Sequence, residues 1–386
     1  MSASDKTIPA ETILTNARIV LPDEIITGTV VMREGKIAAI DHMISASGKN
    51  MEGDYLIPGL VELHTDHLEG HYAPRPKVRW NPLAAIQAHD AQIAASGITT
   101  VFDALRVGHD GECEVVIDDM LLLADALQAA QSQGRLRSEH YLHLRCEVSS
   151  NDCISAFERL RGASGVRLAS LMDHAPGQRQ FPDMESYRIY FMRKNKVSED
   201  DYQAYCDRRV GESQRNSAKN RALIADYCHA NGIMLASHDD ATQAHVDESV
   251  AHGVSVAEFP TTVEAAAASH SNGIGVMMGG PNVVRGGSHS GNVSALELAE
   301  KGYLDIISSD YIPFSMLQGA FNLAHVVEHI DLPQAIRMVS TNPVKAVGMT
   351  DRGSIAEGLR ADLVRVNAVD DVPVVRSVWR ESKRVS

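Results

Sequence analysis

The stretch "LVELHTD", residues 60–66, directly follows the apolar run "YLIPG" and combines buried-type residues with ionisable ones. If it is a β-strand, His64 and Asp66 point to the same side, because side chains alternate between the two faces of a strand. An imidazole and a carboxylate both bind first-row divalent cations, and a carboxylate can bridge two of them. The stretch therefore predicts a strand that ends in a metal site, although a charged surface loop has the same composition.

Seven more apolar runs follow this stretch, and several are separated by helix-like segments such as "MLLLADALQAAQSQ", "NRALIADYCHAN" and "NVSALELAEKG". Regular alternation of buried strands with amphipathic helices predicts an α/β protein with a (β/α)8 barrel of the TIM type. The runs are "GITTVFDA", "YLHLRCEV", "VRLASLMDH", "GIMLASHDD", "VSVAEFPT", "GIGVMMGGPN" and "LDIISSD".

The two ends of the chain differ from this middle part. Residues 1–57 and 346–386 are rich in Val, Ile and Thr with Gly and Asp between short runs, which is typical of antiparallel strands. Each end alone would have little core. We therefore predict a small β-sandwich assembled from both termini, with the barrel spanning residues 58–345. A long polar insertion at residues 175–220 predicts either an active-site loop with helices or a contact element.

Composition limits the partners. The 386 residues carry a formal net charge of −14, which argues against a nucleic-acid or anionic-membrane surface. The N-terminus lacks a secretory signal pattern, no apolar stretch is long enough to span a bilayer, and the five cysteines form no CxxC pair. We expect a cytoplasmic homo-oligomer that acts on a small molecule.

The ionisable residues fall where a barrel keeps its active site, at the carboxyl ends of the strands. Each has an ordinary explanation when taken alone; Asp310, for example, could cap a helix. Their joint occurrence predicts a ring of ligands around the barrel axis: His64, Asp66, Asp103, Glu147, His174, His238, Asp239 and Asp310.

Several longer motifs carry a resemblance that covers essentially the whole chain. They are "HTDHLEGHYAPRPKVRW", "HLRCE", "LMDHAPGQRQF", "LASHDDAT", "AEFPTT", "GGPNVVRGGSHSGN" and "SSDY". They resemble the amidohydrolase superfamily and, within it, a family of triphosphate diphosphatases from the carbon-phosphorus lyase pathway of phosphonate use. The implied reaction is metal-dependent hydrolysis of α-D-ribose 1-methylphosphonate 5-triphosphate to the 5-phosphate and pyrophosphate.

The same resemblance implies a divalent metal site with two ions, for which Zn, Mn and Fe are equally suitable. The implied ligands are His64, Asp66, Glu147, His174, His238 and Asp310. Asp310 would also be the catalytic base. The sequence has His67 where we expect Asn in this family. His67 could contact the substrate, offer an extra metal ligand or have no role in the site, and of these we favour substrate contact.

A triphosphate substrate needs local positive charge in so acidic a protein. The glycine-rich segment at residues 279–292 offers side-chain donors and a backbone that can turn its N–H groups toward an anion. The predicted phosphate-binding residues there are Arg285, Ser288, His289 and Asn292, and Arg179 in "GQRQ" is a further candidate. The alternative for the segment is a flexible surface loop.

Two other functions fit the same barrel. One is hydrolysis of a cyclic amide or an N-acyl amino acid, which would need few of these anion donors. The other is a non-catalytic scaffold, which would be expected to lose ligands, whereas all six are present in the sequence.

Overall fold

The structure is a computed structural model that describes residues 11–109, 115–179, 188, 192, 198–288, 291–369 and 372–386. Within these ranges the strands form two sheets. The N-terminal strands are β1 (Thr12–Val20), β2 (Ile25–Arg33), β3 (Lys36–Asp41), β4 (Lys49–Asn50) and β5 (Tyr55–Pro58). The central strands are β6 (Leu60–Thr65), β7 (Ile98–Val107), β8 (Glu139–Glu147), β9 (Val166–Met172), β10 (Met234–His238), β11 (Val256–Glu258), β12 (Gly275–Gly279) and β13 (Ile306–Ser308). The C-terminal strands are β14 (Leu363–Val369), β15 (Val372–Arg380) and β16 (Lys383–Arg384).

The helices connect the central strands. They are α1 (His67–Tyr72), α2 (Pro82–Ala95), α3 (Ile117–Ser132), α4 (Cys153–Leu160), α5 (Glu199–Asn231), α6 (Gln243–Ala251), α7 (Val263–Ser271), α8 (Gly280–Arg285), α9 (Ala295–Glu300), α10 (Ser315–Val326), α11 (Leu332–Met338) and α12 (Thr341–Ala346). Among the described residues, no helix is long and apolar enough to cross a membrane.

The central sheet is a nearly closed barrel. Strands β6 to β13 pair in sequence order, and every one of these pairings is parallel. Thr65 at the end of β6 forms a parallel bridge with Asp310 just after β13, and the backbone N–H of Asp66 donates to the Asp310 carbonyl at 3.1 Å. The predicted eight-strand barrel is confirmed. Its parallel strands bring all eight carboxyl ends to one rim.

The terminal strands form the second sheet, as the sequence indicated. Its order is β16-β15-β14-β5-β1-β2-β3, with β4 paired to β1. Antiparallel pairing of β14 with β5 joins the two chain ends, and Val364 lies opposite Ile57. Leu14, Leu56 and Trp379 are buried together in the core of this sheet. The predicted domain boundaries and the predicted homo-oligomer stay predictions.

The insertion after β9 ends in a long helix. α5 begins after Ser198, whose hydroxyl accepts a hydrogen bond from the N–H of Asp201 at 3.2 Å. Its buried face includes Arg209, which is fully buried and reaches the end of β8. The insertion therefore supplies a side chain to the rim of the barrel. Residues 180–187, 189–191 and 193–197 lie outside the described part of the chain.

Candidate active site

Among the described residues, two groups of convergent ligand atoms at the rim consist entirely of residues from the predicted ring. In the first group, His64, Asp66 and Asp310 each offer one atom, and these atoms lie within 4.8 Å of one another. In the second group, His174 and His238 place their Nε2 atoms 3.7 and 3.5 Å from Oδ2 of Asp239. Six residues of the predicted ring are thus brought together, and five of them are ligands that the family resemblance implied.

These residues fit divalent ions. Buried polar atoms in proteins nearly always have hydrogen-bond partners. Within the described part of the chain, the buried atoms at this rim without a hydrogen-bond partner include two carboxylate oxygens, a type of atom that binds metals. They are Asp66 Oδ1 and Asp239 Oδ2, one in each group. Divalent ions would satisfy such atoms.

Glu147 lies behind His174 and outside both groups. Its Oε2 is 2.7 Å from Nδ1 of His174, while Arg209 donates to its Oε1 at 3.1 Å. Burial would raise the pKa of Glu147, but His174 and Arg209 lower it to about 2. A carboxylate in this position fixes the imidazole so that its Nε2 faces Asp239, which is a common arrangement around metal-binding histidines.

Glu258 is a site residue that the sequence reasoning missed. It ends β11 and is fully buried among three histidines: its carboxylate lies 3.0 Å from Nδ1 of His238, 3.2 Å from Nδ1 of His64 and 3.5 Å from Nε2 of His143. Burial would raise its pKa, but His64 and His143 lower it well below the usual range. The signal was present, because Glu258 in "AEFPTT" obeys the same strand-end rule as the predicted ligands.

Glu62 and Arg145 were also missed. Glu62 is fully buried, accepts the N–H of His64 at 2.6 Å and accepts the hydroxyl of Ser308 at 2.8 Å, so it joins β6 to β13 beneath the rim. Arg145 donates from Nη1 to Oδ2 of Asp66 at 2.5 Å. Its Nε is buried without a hydrogen-bond partner among the described residues. Because side chains alternate between the two faces of a strand, the spacing in "VELHTD" could have placed Glu62 on the same face of β6 as His64.

The two carboxylates of the first group have opposite pKa shifts. Burial would raise the pKa of Asp66, but Arg145 and His64 lower it to about 2. Burial raises the pKa of Asp310 to about 6, and the charge of Asp66 acts in the same direction. Pairs of neighbouring carboxyl groups whose pKa values are shifted in opposite directions are typical of hydrolytic sites.

Three residues that follow strands at this rim have left-handed backbones although none is glycine. The φ angles of Asp239, Phe259 and Asp310 are 55°, 54° and 56°. This conformation costs free energy for residues with a Cβ and often occurs at functional sites. Here it turns the chain sharply after β10, β11 and β13.

A single cavity of about 300 Å³ connects the metal-type atoms with the glycine-rich segment. His64, Arg145, His174, His238, Asp239 and Asp310 line one part of it. The other part is lined by Asn282, Arg285, Ser288 and Asn292. Three of the four predicted phosphate-binding residues in this segment therefore line the cavity that contains the candidate ligands. The fourth, His289, lies outside the described residues.

The structure does not bring the two remaining candidates to this cavity. Arg179 is buried and pairs with Asp240 and Glu248. His67 turns away from the cavity, and its ring packs against His71 and His89. Their predicted roles in substrate binding therefore lack support from the geometry.

The fold and the site define an amidohydrolase-type barrel. A family model described as "Amidohydrolase family" matches residues 229–385. Solved structures agree on the fold. N-acetyl-D-glucosamine-6-phosphate deacetylase from Mycobacterium smegmatis superposes with a TM-score of 0.63 at 16% identity, covering 97% of this chain and 100% of that one. For 5-methylcytosine deaminase from Klebsiella pneumoniae the TM-score is 0.64 at 15% identity, covering 97% of this chain and 98% of that one.

Among curated proteins, the alpha-D-ribose 1-methylphosphonate 5-triphosphate diphosphatase of Escherichia coli (strain K12) is 46% identical over 376 residues. The match covers 97% of this chain and all of that protein. The chain belongs to the family of this diphosphatase, within the amidohydrolases.

Proposed function

We propose that the protein hydrolyses α-D-ribose 1-methylphosphonate 5-triphosphate to the corresponding 5-phosphate and pyrophosphate. The observation that carries this proposal is the shared cavity, in which candidate metal ligands and the donors around Arg285 face the same space. The full-length similarity to a diphosphatase supports the choice of substrate. The reaction breaks the bond between the α- and β-phosphates and adds one water.

Two divalent ions would be held by the two groups of ligand atoms, one by His64, Asp66 and Asp310 and the other by His174, His238 and Asp239. Such ions, when bound, polarise water and phosphate oxygens. Imidazole and carboxylate ligands suit Zn, Mn and Fe. Glu147 and Glu258 would orient His174 and His238 by hydrogen bonds to their Nδ1 atoms.

Residues of the chain would perform the remaining steps. Asp310 lies at the cavity wall beside His64, where its carboxylate can accept a proton from the attacking water. Arg145 lines the same cavity wall, and its guanidinium group can donate to a phosphate oxygen. Arg285 and Asn292 would hold the distal phosphates, which leave as pyrophosphate.

The test is a substrate panel. Purified protein is incubated with a divalent metal and ribose 5-triphosphates, nucleoside triphosphates, cyclic amides or N-acyl amino acids, and both pyrophosphate and amine or acid release are measured. We expect pyrophosphate from the ribose 5-triphosphates. Hydrolysis of the amides without pyrophosphate would instead favour the amidohydrolase alternative, and no turnover of any member would favour the scaffold.

Asp310→Asn tests the assignment of the base. The amide keeps the size of the side chain but cannot take up a proton, so we expect turnover to fall by about two to four orders of magnitude. Metal content measured in the same preparation separates loss of the base from loss of an ion. Near-normal turnover would remove Asp310 from the mechanism.

A further inference from the structure

We propose that His67, His71 and His89 form an additional transition-metal site, which we call the trihistidine site and which is separate from the proposed catalytic centre. Their ligand atoms lie within 4.8 Å of one another. None of the three lines the cavity described above. The proposal goes beyond the proposed reaction and does not depend on it.

Helix geometry brings the three rings together. His67 and His71 are four residues apart on α1, so their side chains lie on the same face of the helix. His89 comes from α2, which packs against α1. The ring centroids are 4.7 Å apart for His67 and His71, 5.5 Å for His67 and His89, and 6.0 Å for His71 and His89.

The spacing of the nitrogens matches a metal coordination shell. The Nδ1 atoms of His67 and His89 are 3.3 Å apart. Zn–N bonds of about 2.0–2.1 Å in tetrahedral geometry separate two ligand nitrogens by about 3.3–3.4 Å. In metal-free protein the same distance allows a hydrogen bond between the two rings, and a bound ion would replace that bond by coordinating both nitrogens.

A carboxylate fixes the tautomer of His89. Its Nε2 is 2.7 Å from Oδ1 of Asp103, and an ionised carboxylate only accepts hydrogen bonds, so Nε2 carries the proton. The Nδ1 atom then presents a lone pair toward His67. Oδ2 of Asp103 is in turn 2.7 Å from Nδ1 of His140, and His89, Asp103 and His140 are all buried.

Carboxylate–histidine pairs of this kind commonly orient metal-binding imidazoles. Burial would lower the pKa of His140, but Asp103 raises it to about 9, so His140 balances the charge of Asp103. This places Asp103, a predicted member of the ring at the rim, behind His89 instead.

The third ring has an unsatisfied atom. Within the described part of the chain, Nε2 of His71 is buried and has no hydrogen-bond partner. Burial and the neighbouring His89 lower the pKa of His71, while a hydrogen bond with Gln92 acts in the opposite direction. An ion between the three rings would satisfy this nitrogen. His67 and His71 are partly exposed, which leaves a path for an ion.

The ligand set indicates which ions would bind. Three imidazoles suit Zn²⁺, Co²⁺, Ni²⁺ and Cu²⁺, whereas Mg²⁺ and Mn²⁺ prefer oxygen ligands. The ligand groups at the barrel rim contain carboxylates and therefore suit a wider range of divalent ions. Because Asp66 immediately precedes α1, an ion that ties α1 to α2 would also fix the backbone at Asp66.

The experiment compares metal content and spectra and does not use turnover. Metal-free wild type, His71→Gln and His67→Asn are dialysed with Zn²⁺ or Co²⁺, and bound metal is measured by plasma mass spectrometry. Each substitution keeps a polar side chain of similar size, and circular dichroism checks folding. His42→Gln, which removes an exposed histidine directly after β3 of the terminal sheet, is the matched control.

We expect His42→Gln to bind as much Zn²⁺ as wild type, and both trihistidine variants to bind one equivalent less. The tetrahedral Co²⁺ absorption should fall correspondingly, and Zn²⁺ should raise the Tm of wild type more than that of either variant. Equal Zn²⁺ content in wild type and in either folded variant would overturn the proposal. If both variants fail to fold, X-ray absorption of the double variant His64→Ala/His238→Ala, which removes a histidine from each rim group, decides after loading with one equivalent of Zn²⁺: a shell of three imidazoles supports the site, and an oxygen-dominated shell or an absence of zinc excludes it.

Discussion

The Glu139 carboxyl group joins the barrel to the segment that leads into the terminal sheet. It begins β8 and accepts hydrogen bonds from Arg352 and Arg360, while the hydroxyl of Tyr141 donates to it at 3.0 Å. Both arginines precede β14, so the ion pairs connect the two sheets. Glu139→Gln removes the charge and keeps the shape.

The structure gives the size of the effect. Burial would raise the pKa of Glu139, but Arg360 and Arg352 lower it from 4.5 to about 2. Because a tenfold change in proton affinity corresponds to about 1.4 kcal/mol, this pKa difference corresponds to about 3 kcal/mol of unfolding free energy. A quarter of the side chain is exposed, so we expect about 2–3 kcal/mol after solvent screening.

The sign follows from the lowered pKa. The stabilisation is complete above the unfolded pKa of 4.5 and is lost as the pH falls from there through about 2. Wild type should therefore exceed Glu139→Gln in stability near neutral pH, and the difference should fall below half its value near about pH 3.

Urea unfolding of metal-free wild type and Glu139→Gln, at neutral pH and at about pH 3, measures the difference in unfolding free energy. Glu297→Gln, which affects an exposed pair with Lys301 at 3.9 Å, is the control and should change stability by less than about 0.5 kcal/mol. An equal deficit of Glu139→Gln at both pH values would refute the electrostatic reasoning, as would the absence of any deficit at neutral pH.

Three further predictions concern the candidate active site. Arg285→Ala should raise the KM for a triphosphate by about tenfold, which is the low end of the effect of losing a charge-assisted hydrogen bond, because Arg285 is exposed. The control Arg159→Ala, on α4, should leave the KM unchanged. Equal changes of KM in the two variants would contradict the assignment of Arg285. Glu258→Gln should weaken metal binding about 10–100-fold, because His64 and His238 lose the buried carboxylate that orients them. If a metal titration of the folded variant matches that of wild type, Glu258 does not orient these histidines for metal binding. Dialysis with a chelator should abolish pyrophosphate release and added Zn²⁺ or Mn²⁺ should restore it; full activity of chelated, metal-free protein would exclude a metal-dependent reaction.

Much of the site could be predicted because of one regularity. Parallel strands end at the same rim, so residues as distant in sequence as His64, His174, His238 and Asp310 could be placed together without knowledge of any contact. The same rule applied to Glu258, but β11 is only three residues long and offers little pattern by which to assign a role.

The roles of Glu147, His67 and Arg179 could not be predicted, because neighbours from other elements decide them. Glu147 is turned toward His174 and Arg209, and Arg209 comes from the insertion helix. His67 meets His89 only because α1 packs on α2, and Arg179 is held by acids around α6.

The sequence by itself determined the eight strands, the sheet built from both termini and the positions at which ionisable residues leave the barrel, because these follow from local periodicity. The tertiary structure alone decided which of those residues lie close enough to hold a common ion, which ones contact a neighbouring histidine and which form the cluster proposed as the trihistidine site. Those roles depend on distances of a few ångströms between side chains from different strands and helices, and packing fixes such distances only once the barrel has closed.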